Sequence, residues 1–233
     1  MLIGPQFSAA NLASVRERIA SAAARAGRDP AGITLVGVSK TQPPEVVSAA
    51  LAAGLHDFGE NYVQEGVTKI TAVPRTGVAW HFIGRLQSNK SRAVAEHFDW
   101  VHTVDRPGLA ERLSAQRPFH GPALQVCLQV KLADEPGKAG VAPAALPALA
   151  AAVATLPRLR LRGLMCIPPP HDDEAEQRRA FAQLRGLRDA LNAQGHALDV
   201  LSMGMSADFE AAILEGATHV RVGTAIFGPR ARR

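Results

Sequence analysis

Eight short β-rich apolar runs recur along the chain, each parted from the next by a segment with helical spacing, and this alternation limits the fold more than any other feature. The runs are Ile33–Val38, Asp57–Gly59, Trp80–Ile83, Trp100–Val104, Ala123–Leu132, Leu159–Ile167, Val200–Met203 and His219–Val222. The intervening segments read as helices over Pro44–Gly54, Tyr62–Ala72, Asn89–His97, Pro107–Ala115, Pro143–Thr155 and Asp173–Ala193, with one more reaching Glu215. Strands that alternate with helices point to a parallel sheet. Eight such units in 233 residues match a lean (β/α)8 TIM-type barrel without surplus. The competing open, doubly wound sheet fits that count less well. A further helix precedes the first strand, at about 8–26. Ser8 is placed to cap it, Leu12, Val15, Ile19, Ala22 and Ala23 form its apolar stripe, and Gly27 ends it. No linker, repeat or charge block divides the chain, so one domain over 1–233 is expected.

Composition removes several classes of function. The formal charge is +5 and the pI about 9.8. The basic residues form no stripe, only Arg230, Arg232 and Arg233 cluster, and the single Tyr leaves no aromatic platform for bases. Nucleic acid is therefore not the expected partner, and a small anionic ligand suits the charge better. The eight His show no paired spacing and the two Cys no metal motif, which argues against a metal site. Cys127 and Cys166 each sit in an apolar run, as small core residues of a reducing compartment do. The uncharged stretch from Ala139 to Pro157 is interrupted by Pro143 and Pro147 and is too weakly apolar to span a bilayer. With no secretory pattern at the N-terminus either, a cytoplasmic location is expected. No Walker-type or dinucleotide glycine motif is present.

In a barrel, chemistry collects at the C-terminal ends of the strands. Lys40 stands there after the first strand. Its desolvation would lower its pKa and allow the neutral amine to attack a carbonyl, although a snorkelling lysine is the alternative. The loops after strands seven and eight hold Gly204, Ser206, Gly223 and Thr224, a combination of close backbone approach and hydroxyl donors suited to phosphate. Ser206 could equally be an ordinary cap for the following helix. An amine placed across the mouth from these loops would suit a ligand carrying both a carbonyl and a phosphate. Arg221, mid-strand between two valines, needs an acceptor: either an internal partner such as Glu60 or Asp208, or a ligand heteroatom. His81 between Trp80 and Phe82 is either a satisfied core residue or a ligand contact, and Asn61 either closes an Asx turn or donates to a ligand.

Taken together, several segments form one pattern. They are Val38-Ser39-Lys40-Thr41, the run from Phe58 to Glu65 that contains Gly59-Glu60-Asn61-Tyr62, and Trp80-His81-Phe82-Ile83-Gly84 with Leu86-Gln87 and Asn89-Lys90. Gly163-Leu164-Met165, the run from Leu201 to Ser206 with Asp208, and the run from Val220 to Gly228 complete it. The chain closely resembles the pyridoxal phosphate homeostasis protein family from about Ile33 to Gly228. The resemblance implies the barrel of alanine racemase (fold type III, alanine racemase N-terminal domain-like) without that enzyme's second, β-rich domain. It also implies a protein that binds pyridoxal 5′-phosphate (PLP) and takes part in vitamin B6 homeostasis, with no established turnover. On this resemblance, Lys40 holds the cofactor as a reversible Schiff base. Ser206, Gly223 and Thr224 hold its phosphate, Arg221 faces the pyridine nitrogen, and Asn61 and His81 line the same mouth. Departures are few: Gln42 stands where a second lysine often follows, Cys166 replaces a commoner alanine, and Pro229 follows Gly228. Glu135, Lys138 and Gly140 match a family loop, and Lys138 is either a surface contact or a solvated lysine.

If Arg221 meets the ring nitrogen, that nitrogen stays unprotonated, the ring is a poor electron sink, and carbanion chemistry is disfavoured. A carrier follows more naturally than an enzyme, with PLP-accepting enzymes as transient partners. The alternatives are an amino-acid racemase on the same barrel, for which only Tyr62 is present as a phenol, and a lysine aldolase acting on a sugar phosphate. No strongly apolar exposed helix face stands out, so a monomer is expected.

Overall fold

The computed structural model describes residues 7–133 and 139–229. Glu135, Lys138 and the C-terminal arginines Arg230, Arg232 and Arg233 lie outside the described residues. All eight strands form: β1 (Thr34–Val38), β2 (Asp57–Glu60), β3 (Ala79–Phe82), β4 (Trp100–Val104), β5 (Leu124–Gln129), β6 (Leu159–Met165), β7 (Val200–Ser202) and β8 (His219–Val222). They pair in parallel and in chain order, and β8 returns to pair with β1, which closes the barrel. Closure leaves no sheet edge exposed. Around it run α1 (Ala9–Arg25), α2 (Pro44–Ala52), α3 (Val63–Ala72), α4 (Ser91–His97), α5 (Pro107–Gln116), α6 (Leu146–Ala154), α7 (Glu174–Ala193), α8 (Phe209–Leu214) and the short α9 (Thr224–Phe227).

Helix α1 lies outside the barrel against α8 and α9. Leu12, Val15 and Ile19 are buried beneath it, Arg18 pairs with Glu210 at 2.7 Å, and Arg28 donates to the carbonyls of Ile213 and Ala217, both at 2.8 Å. Ser8 occupies the N-cap position without a side-chain cap bond, contrary to the expectation, whereas Asp173 does cap α7 by accepting from the Ala175 amide at 2.9 Å. Gly27, with φ +64°, turns the chain out of α1 as anticipated. Strands β5 and β6 are shorter than their apolar runs. Beyond Gln129 only Val130 continues, in an isolated bridge to Val141, and the three prolines from Pro168 lack the amides that would extend β6.

The main apolar core lies between sheet and helices. It includes Phe58, Trp80, Phe82 and Phe98, all fully buried. A second, small cluster of Cys127, Met165 and Val200 packs with Trp100 inside the barrel. The remaining interior is polar: His81, His102, Ser202, His219 and Arg221 are all buried there. Burial pushes both thiols, Cys127 and Cys166, up to about 12, which agrees with their reading as unreactive core residues.

Candidate ligand site at the barrel mouth

Lys40 follows β1 in a segment fixed on both sides. Ser39 is buried, its amide donates to the Gly59 carbonyl at 3.0 Å, and its hydroxyl donates to Glu60 Oε1 at 2.6 Å. On the other side Thr41 adopts φ +68°, a left-handed conformation rare for a β-branched residue, and its amide donates to Glu65 at 2.5 Å. Lys69, only 2% exposed, ties both sides together. Its Nζ donates to the Ser39 carbonyl and to Glu65, both at 2.6 Å, and to Glu60 at 2.7 Å. The backbone that presents Lys40 is therefore held by a buried Lys69–Glu60–Glu65 cluster. Burial holds the Glu60 carboxyl above the usual carboxylate range, and Lys69 pulls it back only in part. Sequence reading missed this cluster; the Glu65–Lys69 spacing of four on α3 was its one local signal.

The phosphate candidates converge. Gly204, at φ +91°, brings its backbone so close to α8 that a Cβ would lie 2.6 Å from Ala212 Cβ and 2.9 Å from Phe209 Cα. Its carbonyl accepts the Arg221 amide at 2.9 Å, and Asp208 accepts the Met205 amide at 2.6 Å, which fixes the loop. Ser206 does not cap α8, whose N-cap is Asp208. Instead its Oγ accepts from the amides of Gly223 and Ala225 at 3.3 and 3.4 Å. Ser206, Gly223 and the exposed Thr224 thus meet at the start of α9, an element that the sequence reading had not resolved.

One expectation of placement is corrected. Lys40 does not lie across the mouth from these loops. Because β8 pairs with β1, with Gly37 opposite Val222, the two groups occupy neighbouring strand ends. A Cβ on Gly223 would lie 3.3 Å from that of Val38, two residues before Lys40. The spacing of adjacent strands, about 4.8 Å, is the scale of a single aromatic ring.

Arg221 is buried beside this corner. Neither Glu60 nor Asp208 takes it as an ion-pair partner, since Glu60 is engaged by Lys69 and Asp208 by the Met205 amide. Arg221 Nη1 donates to Ser202 Oγ at 2.7 Å and Nη2 to the Cys166 carbonyl at 2.9 Å. Burial lowers its pKa. His81 is drawn away from the mouth: fully buried, it bonds His102 at 2.9 Å and, at 3.0 Å, Asp57 at the N-terminal start of β2. Asn61 sits after β2 in a cleft shared with Tyr62, Arg85 and Lys90, and its buried Oδ1 has no partner among the described residues. No cluster of metal-ligating side chains occurs among the described residues.

The residues present fit pyridoxal phosphate. Two amides share one hydroxyl at long distance at the start of α9, and so have capacity for a stronger acceptor such as a phosphate oxygen. Arg221 has five N–H groups, two of them partnered as described. Lys40 follows the end of the neighbouring strand, β1.

Comparison with known proteins agrees with this chemistry. The family described as alanine racemase, N-terminal domain, matches residues 10–231. The pyridoxal phosphate homeostasis protein of Pseudomonas aeruginosa is 58% identical over 222 residues, covering 95% of each chain. That of Escherichia coli K12 is 54% identical, over 94% of this chain and 95% of its own. Among solved structures, PipY of Synechococcus elongatus PCC7942 with PLP bound is 43% identical and superposes with a TM-score of 0.80, covering 92% of this chain and all of PipY. An alanine racemase of Clostridium difficile 630 shares the fold at a TM-score of 0.75 and 13% identity, this chain spanning 61% of it. With the barrel, the mouth and these relatives in agreement, the chain belongs to the pyridoxal phosphate homeostasis protein family, built on the alanine racemase N-terminal domain fold.

Proposed function

We propose that this protein binds pyridoxal 5′-phosphate at the C-terminal mouth of its barrel and keeps it in a reversible store, without catalytic turnover of its own. One observation carries the reading: the segment bearing Lys40, the loops bearing Ser206, Gly223 and Thr224, and the buried Arg221 all lie at the closing seam where β8 joins β1. When bound, the cofactor supplies an aldehyde that condenses reversibly with primary amines.

Lys40 supplies that amine, presented by the fixed Ser39 and Thr41 on either side. Ser206 Oγ and the amides of Gly223 and Ala225 orient the phosphate end. Arg221 offers only N–H donors, so a ring nitrogen that it meets is left without a proton. That suppresses the electron-withdrawing role on which amino-acid chemistry depends. The rival racemase reading needs a second acid, and the single Tyr is 61% exposed at the start of α3, in the cleft with Arg85 and Lys90 rather than beside Ser206. The homeostasis role carried in the relatives' names supports a store of the cofactor, which we place in the cytoplasm with accepting enzymes as its recipients. Among the described residues no helix is long and apolar enough to cross a membrane. Among the described residues the exposed large hydrophobics are Phe119 after α5 and Tyr62, Ile167 and Met205 after β2, β6 and β7, none of them within a helix, and a monomer is the reading we favour.

The decisive experiment is an absorption spectrum of the purified protein after incubation with pyridoxal phosphate, followed by borohydride reduction and mass mapping. A single pyridoxyl adduct on Lys40 is expected, absent in Lys40→Ala. A colourless wild type, or equal trapping in the variant, would remove the reading.

A further inference from the structure

The polar interior of the barrel contains one continuous line of hydrogen bonds. It starts at Arg221 Nη1 and passes to Ser202 Oγ (2.7 Å), to His102 Nδ1 (2.7 Å), from His102 Nε2 to His81 Nδ1 (2.9 Å), and from His81 Nε2 to Asp57 Oδ1 (3.0 Å). The line crosses from β8 through β7, β4 and β3 to β2. The step from β4 to β7, strands that do not pair, can run only through the barrel interior. Arg221 stands near the mouth, and Asp57 is the first residue of β2, at the opposite face, with its side chain 29% exposed. His81 and His102 are fully buried, so every proton on this line must be accounted for within it.

With a neutral His81 the two ends fix its direction. An arginine can only donate and an ionised aspartate can only accept. His81 Nε2 must therefore carry the proton given to Asp57, and a neutral His81 then accepts at Nδ1. His102 accordingly carries its proton on Nε2 and accepts at Nδ1 from the Ser202 hydroxyl, whose oxygen is left to accept from Arg221. With His81 neutral each group has one assignment, and all point the same way. Protonating His81 reverses the middle of the line, since His102 would then have to accept at Nε2 and turn an N–H toward Ser202. The groups around His81 are Asp57 from β2, His102 and the stacked Trp100 from β4, and His219 from β8, with Arg221 and Arg162 beyond.

We propose that Ser202, His102, His81 and Asp57 are positioning residues for Arg221, forming a one-directional relay that aims its guanidinium at the mouth from the far face of the barrel. This rests on the reading of Arg221 as the group that meets the cofactor's ring nitrogen. The relay gives the interior histidines a role that binding at the mouth does not require: they hold the Ser202 oxygen ready to accept and tie Arg221 to a counter-charge four hydrogen bonds away.

Two measurements test it separately. Long-range proton–nitrogen correlation spectra of the ligand-free protein, with nitrogen-labelled histidine at pH 7, are expected to show His81 and His102 neutral and both protonated on Nε2. An imidazolium at either, or an Nδ1–H tautomer, overturns the direction of the relay and needs no cofactor to be seen. The second measurement is pyridoxal phosphate affinity. Asp57→Ala is expected to weaken it about 3- to 10-fold, the size of one net hydrogen bond. Asp57→Asn, which keeps an acceptor oxygen for His81, is expected to restore most of that loss. Equal affinity in wild type and Asp57→Ala, or equal loss in both variants, overturns the coupling to Arg221. A wild type that retains no pyridoxal phosphate would instead overturn the proposed function, while the spectra still decide whether the relay exists.

Discussion

At the scale of single residues, the backbone on either side of Lys40, the amine proposed to hold the cofactor, is fixed by buried partners. The left-handed Thr41 is unfavourable by about 1–3 kcal/mol and persists because its amide has a fixed acceptor in Glu65. Glu65 and Glu60 in turn share Lys69, which is almost wholly removed from water. Removing the cation from such a cluster leaves a carboxylate buried and unpaired. Lys69→Met is therefore expected to lower stability by about 3–5 kcal/mol in denaturant unfolding. The double variant Lys69→Met with Glu60→Gln is expected to recover a substantial part, because the uncompensated charge goes with it. If Lys69→Met alone unfolds like the parent, the cluster does not hold this segment. Lys40, Ser206, Gly223 and Thr224 could be named as candidates from the sequence because each follows a strand end, where a barrel collects its chemistry, and Arg221 because a guanidinium between two strand valines needs an acceptor. Lys69 was not, since on a helix face it reads as one half of an ordinary surface pair. Of the proposed relay partners only His81 was singled out, as a core residue or a ligand contact, though a trace of the others exists. Asp57 in β2, His81 in β3, His102 in β4, Ser202 in β7 and His219 and Arg221 in β8 break the uniform apolar habit of buried parallel strands.

At the scale of elements, the alternation of runs gave the number and order of strands, and turn chemistry decided their ends. The expected strands overshoot where proline or a bridge ends the pairing, and the expected helices lose a residue or more where the first turn tightens, as at Ser88–Lys90 before α4 and Pro143–Ala145 before α6. Helix α9, a single turn, is too short to leave a periodic signal. The placement of Lys40 beside the loops after β7 and β8 could not be read locally, because it follows from closure, a contact between the first and last strands. Close approach between neighbouring strands is equally invisible to pattern. A Cβ on Gly163, in β6, would lie 1.8 Å from the Val200 carbonyl oxygen in β7. Backbone cannot yield as a flexible side chain can. Gly163→Ala is thus expected to destabilise by about 3 kcal/mol or more, measured as a lowered unfolding midpoint with an unchanged denaturant slope. Gly186→Ala in α7, where the added methyl meets nothing within 4 Å, serves as the control and is expected to be neutral or slightly stabilising. Equal midpoints for the two variants would show that β6 and β7 can part without loss.

For the molecule as a whole, a barrel filled partly with imidazoles has a characteristic dependence on acid. Burial holds His102 well below the ordinary imidazole value, and His219 down to about 3. In the unfolded chain both titrate near 6.5. A lowered folded value means that the stabilisation is complete above 6.5 and is lost as pH falls toward the folded value, because the unfolded chain takes up protons that the interior refuses. Each such group removes about 1.4 kcal/mol per pH unit below the unfolded value. Glu60 and Asp208 act in the opposite sense: burial raises both, so their contribution is present at low pH and lost as pH rises. The Arg162–Asp199 pair lowers Asp199 and is lost only in stronger acid, below the ordinary carboxylate value. The net slope between pH 7 and pH 5 is thus a difference of terms, and one imidazole is isolated by comparing variants. His219→Gln is expected to be less sensitive to acid than the parent by about 1.4 kcal/mol per pH unit below 6, read from denaturant unfolding at pH 5.0, 5.5 and 6.0. Parallel stability curves for the two proteins would mean that His219 already carries a proton in the folded state. The interior would then have to contain a second cation beside Arg221, against which no carboxylate at hydrogen-bonding distance from His219 is available among the described residues.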